Sequence, residues 1–124
     1  MCSINTQGFI WGDDKKDILA HLSADGSKKF DLILLADLIF NHSQHQQLLK
    51  TCRDVLAPGG VVYTTFTHHV VKWAYRDMRF FDIATEQGFK FEKMYEERWQ
   101  CMFPEDEGDV DVRSTVHAYK LWIE

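Results

Sequence analysis

The stretch Phe30 to Phe40, FDLILLADLIF, decides how the rest of the chain is read. Its first six residues, Phe30 to Leu35, are too few for a helix of their own. They lie between a Ser/Gly/Lys turn and an Asn/Ser/His turn and do not alternate polar with apolar. Such a run predicts a strand buried on both faces, as in a parallel sheet covered by helices. One carboxylate, Asp37, interrupts the apolar run where the strand ends. Open α/β sheets bind ligands beyond the carboxyl ends of their strands, which makes Asp37 a candidate functional residue. The competing reading is a helix cap or turn residue, since Asp is common at both.

On the N-terminal side, Gly8 to Gly12, GFIWG, reads as the end of a strand and the loop leaving it. Asp13 and Asp14 are placed to cap a short helix with Ile18, Leu19 and Leu22 on one face, ended by Asp25-Gly26. On the C-terminal side, Ser43 and Gln46 form a capping-box pattern. Leu48, Leu49, Cys52, Val55 and Leu56 then recur at helical spacing until Pro58-Gly59-Gly60. Val61 to Phe66, VVYTTF, is β-branched and aromatic and predicts the next strand of a β-helix-β unit, hence parallel to the first. A second helix is expected over 70–87, with Val71, Ala74, Met78, Phe81 and Ala84 or Thr85 toward the sheet. Phe89 to Met102 and Ser114 to Ile123 read as two strands joined by the acidic loop 104–111, an antiparallel hairpin at one side of the sheet.

At 124 residues the chain has the length of one domain. A net charge of -5 and the lack of a long Lys/Arg run argue against nucleic acid as the main partner. Cys2, Cys52 and Cys101 are odd in number and lack CxxC spacing, which suits free thiols in a reducing compartment. No apolar stretch reaches membrane-spanning length, and the first residues are not a secretory leader, so a cytoplasmic protein is expected.

Taken together, GFIWG at Gly8 to Gly12, FDLILLADLIFNHSQHQQLL at Phe30 to Leu49, LAPGGVVYTTFTHH at Leu56 to His69, and MFPEDEG with VRSTVHAYKL toward the end resemble the eukaryotic seven-strand lysine methyltransferase-like group. The nearest likeness is to its branch that methylates elongation factor 1-alpha at the N-terminus and a nearby lysine, whose members are also named nicotinamide N-methyltransferase-like. The resemblance implies an α/β fold, a partial class I methyltransferase (Rossmann-like) sheet, mostly parallel with a C-terminal antiparallel hairpin. It also implies S-adenosylmethionine as cofactor. The family's Gly-rich cofactor loop and the acidic residue ending its second strand find no match here, since Gly59-Gly60 sits between a helix and a strand and does not open a helix. Residues 1–124 are therefore expected to be the C-terminal half of a single domain that lacks the first two strands. The outer edge of the Phe30 strand would then be unpaired and prone to self-association.

The resemblance further implies that Trp11 lies against the adenine, where a flat indole face offers a large stacking area, and that Ala36 lines the cofactor pocket. Asp37, Phe40 and Asn41 would line the amine-acceptor channel, with Asp37 orienting the amine for in-line displacement. His69 is a candidate substrate contact, although Val70-Val71 stand where the family carries Arg-Pro. His42 and His45, and His68 with His69, invite a metal reading, but no Cys or carboxylate joins them at a ligand spacing, and no metal is expected. Three functions remain open: N-methylation of a protein amine, most simply on elongation factor 1-alpha; methylation of a small pyridine such as nicotinamide; and a non-catalytic fragment that acts by pairing with another chain.

Overall fold

The computed structural model describes residues 4–23, 25, 27–98 and 114–124. The expected loop 104–111, the end of the third strand at Met102, and Cys2 and Cys101 lie outside these residues. In chain order the elements are α1 (Lys16–Leu19), β1 (Phe30–Ala36), α2 (His45–Val55), β2 (Leu56–Phe66), α3 (Ala74–Glu86), β3 (Phe89–Arg98) and β4 (Thr115–Ile123). Single 3-10 turns, His42–Gln44 and Val71–Trp73, lead into α2 and α3. Among the described residues no helix is long and apolar enough to cross a membrane.

The four strands form one sheet in the order β1-β2-β4-β3. β1 and β2 are parallel, with Ala36 opposite Thr65, as their connection through α2 requires. β4 inserts antiparallel between β2 and β3, so the last strand closes the sheet from its middle. The sheet is thus mixed: the expected parallel character is confined to β1 and β2, and the expected hairpin supplies the rest.

One core lies between the sheet and its helices. Leu48, Leu49 and Cys52 of α2 and Phe80, Phe81 and Ala84 of α3 meet Leu35, Val62, Phe66, Tyr119 and Leu121 of the strands. Tyr119 belongs to this core, and Trp122, half-buried, carries the Lys120 ammonium over its ring, 5.2 Å from the centroid. β1 departs from expectation. Leu35 is buried, but Leu32 and Leu34 are 51% and 69% exposed. Because successive side chains of a strand face opposite ways, the helices cover only the Leu35 side, and the apolar run on the other side meets no cover among the described residues. Among the described residues β1 is also an edge strand, paired with β2.

Three local readings are corrected. Residues 4–10 form no strand, for β1 offers them no ladder. The Ser43 capping box does not form: Ser43 lies in the 3-10 turn and its hydroxyl bonds Asn41 Oδ1 at 3.0 Å, so α2 begins at His45 without a side-chain cap. The sheet-facing stripe of α3 is Asp77, Phe80, Phe81 and Ala84, while Val71 and Met78 are exposed. Pro58-Gly59-Gly60 falls within the irregular start of β2, where Gly60 is required: a Cβ there would stand 2.7 Å from Leu56 Cδ1 and 2.9 Å from the Ala57 carbonyl oxygen. Asp14 accepts from the Lys16 amide at 2.9 Å just ahead of α1, but the N-cap is Lys15 and makes no side-chain cap bond, and only Leu19 of the expected apolar face is buried.

Candidate functional site

The carboxyl ends of the parallel pair β1 and β2 are tied together. Asp37, immediately after β1, donates its amide to the Thr65 carbonyl of β2 at 2.8 Å. Its φ is +56°, the left-handed region, which Asp tolerates better than most side chains and which turns the chain sharply off the strand. The turn presents the carboxylate to the segment leaving β2, and His69 Nε2 lies 2.8 Å from Asp37 Oδ1. With the carboxylate as acceptor, Nε2 is the donor, and in the neutral imidazole Nδ1 then holds the lone pair. Phe40 stands edge-on to the His69 ring, centroids 5.2 Å apart. The side chains of Asp37 and His69 are 54% and 38% exposed, so the pair is open to an incoming group.

Behind this rim lies a second, buried histidine cluster. Asp77, in the first turn of α3, is 3% exposed. Its Oδ2 accepts from His68 Nδ1 at 2.7 Å and its Oδ1 from His42 Nε2. His45 Nε2 donates to the Ile39 carbonyl at 2.6 Å. His68 also meets His117 at a ring distance of 4.9 Å, and His117 Nδ1 lies 3.3 Å from Glu96 Oε1. Burial holds the His45 pKa below its ordinary value, against the Ile39 hydrogen bond. His117 is lowered too, by burial and then by the neighbouring His68. Among the described residues no three His, Cys, Asp or Glu side chains are arranged to hold a metal ion.

Trp11 is elsewhere, packed against the core beside α2 and edge-on to Phe9 at 6.0 Å. The next residue, Gly12, donates its amide to Thr51 Oγ1 of α2 at 2.8 Å. An open hollow of about 640 Å³ near this loop is lined by Gly8, Phe9, Ile10, Asp13, Asp14 and Asp17. Cys52 is free and buried, its thiol pushed up to about 12 by desolvation, so it is no nucleophile.

A model of the lysine methyltransferase family matches residues 2–87. The chain belongs to that family. It is 43% identical over 122 residues to the protein N-terminal and lysine N-methyltransferase efm7 of Schizosaccharomyces pombe, an alignment covering 97% of this chain and 48% of that protein. It is also 43% identical over 119 residues to the protein of the same name, EFM7, from Candida glabrata, covering 96% and 46%. The chain thus spans about half the length of the curated relatives it matches. Among solved structures, the N-methyltransferase NodS from Bradyrhizobium japonicum, in complex with S-adenosyl-L-homocysteine, aligns with a TM-score of 0.47 at 16% identity over 77% of this chain and 46% of that one.

Of the residues expected at the site of this lysine methyltransferase-family chain, Asp37, Phe40 and His69 come together. Ala36 is exposed directly beside them, at the end of β1. Asn41 is on the same loop, its Oδ1 engaged by Ser43 as a turn contact. Asp77, His42 and His68 were not foreseen as a unit. The available signal was a carboxylate heading the α3 stripe, three residues before Phe80 and four before Phe81, in a chain with six histidines.

Proposed function

We propose that the chain carries the amine-acceptor side of an S-adenosylmethionine-dependent N-methyltransferase acting on a protein amine, with elongation factor 1-alpha as the substrate. The observation that carries this reading is the Asp37–His69 pair at the joined ends of β1 and β2, in a chain of the lysine methyltransferase family. The family name and the names of the two yeast relatives support an amine of a protein as acceptor.

The described residues suit part of a cofactor site. Ala36 leaves the main chain at the end of β1 unobstructed, and Trp11 is half-buried with an indole face to offer. The cofactor supplies the electrophilic methyl, and transfer makes the N–CH3 bond as the sulfonium C–S bond breaks. An amine attacks only with its lone pair free, so an ammonium must first lose a proton. His69 Nδ1 can accept it, and Asp37, bonded to Nε2, steadies the imidazolium that forms. The His69 bond goes to Asp37 Oδ1, and among the described residues Oδ2 is left to hold a remaining N–H, aiming the lone pair. Phe40 walls one side of His69 and limits its rotation.

The test is transfer of a tritiated methyl group from S-adenosylmethionine. Label in elongation factor 1-alpha, lost in Asp37→Ala, supports the reading; label in nicotinamide and none in the protein overturns it. Calorimetry with S-adenosylmethionine on the chain as given separates a cofactor-binding chain from one that acts only by pairing. The free edge of β1, with Leu32 and Leu34 exposed, favours pairing with a further strand or a second copy. A stable monomer in sedimentation, unchanged by Leu34→Lys, would end that part of the proposal. A cytoplasmic setting goes with the free thiol of Cys52.

A further inference from the structure

We propose that Asp77 is a positioning residue: it clamps together the two loops that carry the Asp37–His69 pair and so sets the geometry of the acceptor site without touching substrate. What the clamp is for rests on the function proposed above; that it clamps does not.

The two loops leave different strands. One follows β1 and runs through Asp37 and Phe40 to His42; the other follows β2 and carries His68 and His69. Neither loop is a regular element, and the Asp37–His69 contact between them is exposed, so that contact alone is too weak to fix their spacing. Asp77 belongs to a third element, α3, which the core anchors through Phe80, Phe81 and Ala84. Its two oxygens divide between the loops: Oδ1 takes His42, five residues beyond Asp37, and Oδ2 takes His68, the neighbour of His69. The first loop is pinned again where His45 donates to the Ile39 carbonyl, two residues after Asp37.

The chemistry of the clamp needs a carboxylate. Both partners are imidazole N–H donors, and only an acceptor on each arm serves both. At 3% exposure Asp77 has no water to replace a lost partner, so each bond is strongly enforced. An amide at this position would set an N–H against one of the two donors, and would keep that loop only at the cost of moving the imidazole proton to its other nitrogen.

The experiment is NMR on the full 124-residue chain with Asp77→Asn, and with Asp82→Asn on the exposed side of the same helix as control. The edge-on Phe40 ring shifts the His69 ring protons, a signature of loop spacing that a loss of overall stability leaves in place while the chain stays folded. In Asp77→Asn that shift collapses and the amides of Asp37 and His42 exchange about tenfold faster or more, while Val62 and Leu121 of the sheet exchange as before. Asp82→Asn changes none of these. If Asp77→Asn fails to fold, His42→Ala opens one arm at its half-buried end and should release the Phe40–His69 shift by itself. Retention of that shift in a folded Asp77 or His42 variant, or exchange that rises equally in loops and sheet, overturns the proposal. Loosened loops support the clamp whether the methyl acceptor proves to be a protein or not.

Discussion

Two Asp–His arrangements stand one layer apart, and they differ in almost everything except chemistry. Asp37 meets His69 at the rim, with 54% and 38% of their side chains exposed. Asp77 meets His42 and His68 inside, with 5% of its own side chain exposed and an oxygen for each imidazole. An exposed ion pair is screened by water and adds little to stability, but its lone pairs are free for a third party. A buried one has no spare capacity and cannot meet a substrate; removing one member strands the others. On the two proposals above, the same carboxylate-imidazole unit would serve reaction at the rim and geometry beneath it.

The largest effect expected is on stability at the inner cluster. Asp77→Ala leaves the buried His68 and the half-buried His42 without their acceptor and should cost about 1–3 kcal/mol in urea unfolding. A loss below about 1 kcal/mol would place Asp77 with the surface pairs and remove the contrast. At the rim the pattern reverses. Asp37→Ala should change unfolding by less than about 1 kcal/mol, yet lower methyl transfer by about 100-fold, the low end for a lost acid-base or orienting group. Equal losses of stability and transfer in both variants would show that the two clusters form one structural unit.

The rim was legible in the sequence and the interior was not. Asp37 stands out because it interrupts an apolar run where the strand ends, although a turn residue would read the same way and Asp37 is one as well. Its partner His69 lies 32 positions away, and only the parallel register of β1 and β2, which sets Ala36 opposite Thr65, brings the two together. Asp77 sits in a helix, where carboxylates ordinarily face water. The stripe through Val71 and Met78 was therefore the natural reading. It shares Phe81 and Ala84 with the buried face but places Val71 and Met78 there in the stead of Asp77 and Phe80, a rotation smaller than the roughly 100° of one residue. Phe80 decides the matter, for its burial carries Asp77 inward three residues earlier, and the two histidines make that burial tolerable. The apolar run of β1 misled in the opposite way. Leu32 and Leu34 promise a covered second face, but composition records what a strand can bury and not which elements are there to cover it.

The smallest effect expected is a pH dependence, and it tests whether burial keeps protons off His45 and His117. Burial lowers the His45 pKa from its ordinary 6.5, with His42 acting in the same direction and Asp77 and the Ile39 carbonyl opposing. His117 is lowered likewise. The unfolded chain takes up protons near 6.5 that the folded chain refuses, so the unfolded state binds more protons below that point and stability falls as the pH drops through it. The urea midpoint should therefore be lower at pH 5.5 than at pH 7.5. In His45→Gln, which removes one of the two refused protons, the difference between the two pH values should shrink even though the lost bond to Ile39 lowers both midpoints. An unchanged difference would mean that His45 takes up its proton in the folded chain as readily as in the unfolded one.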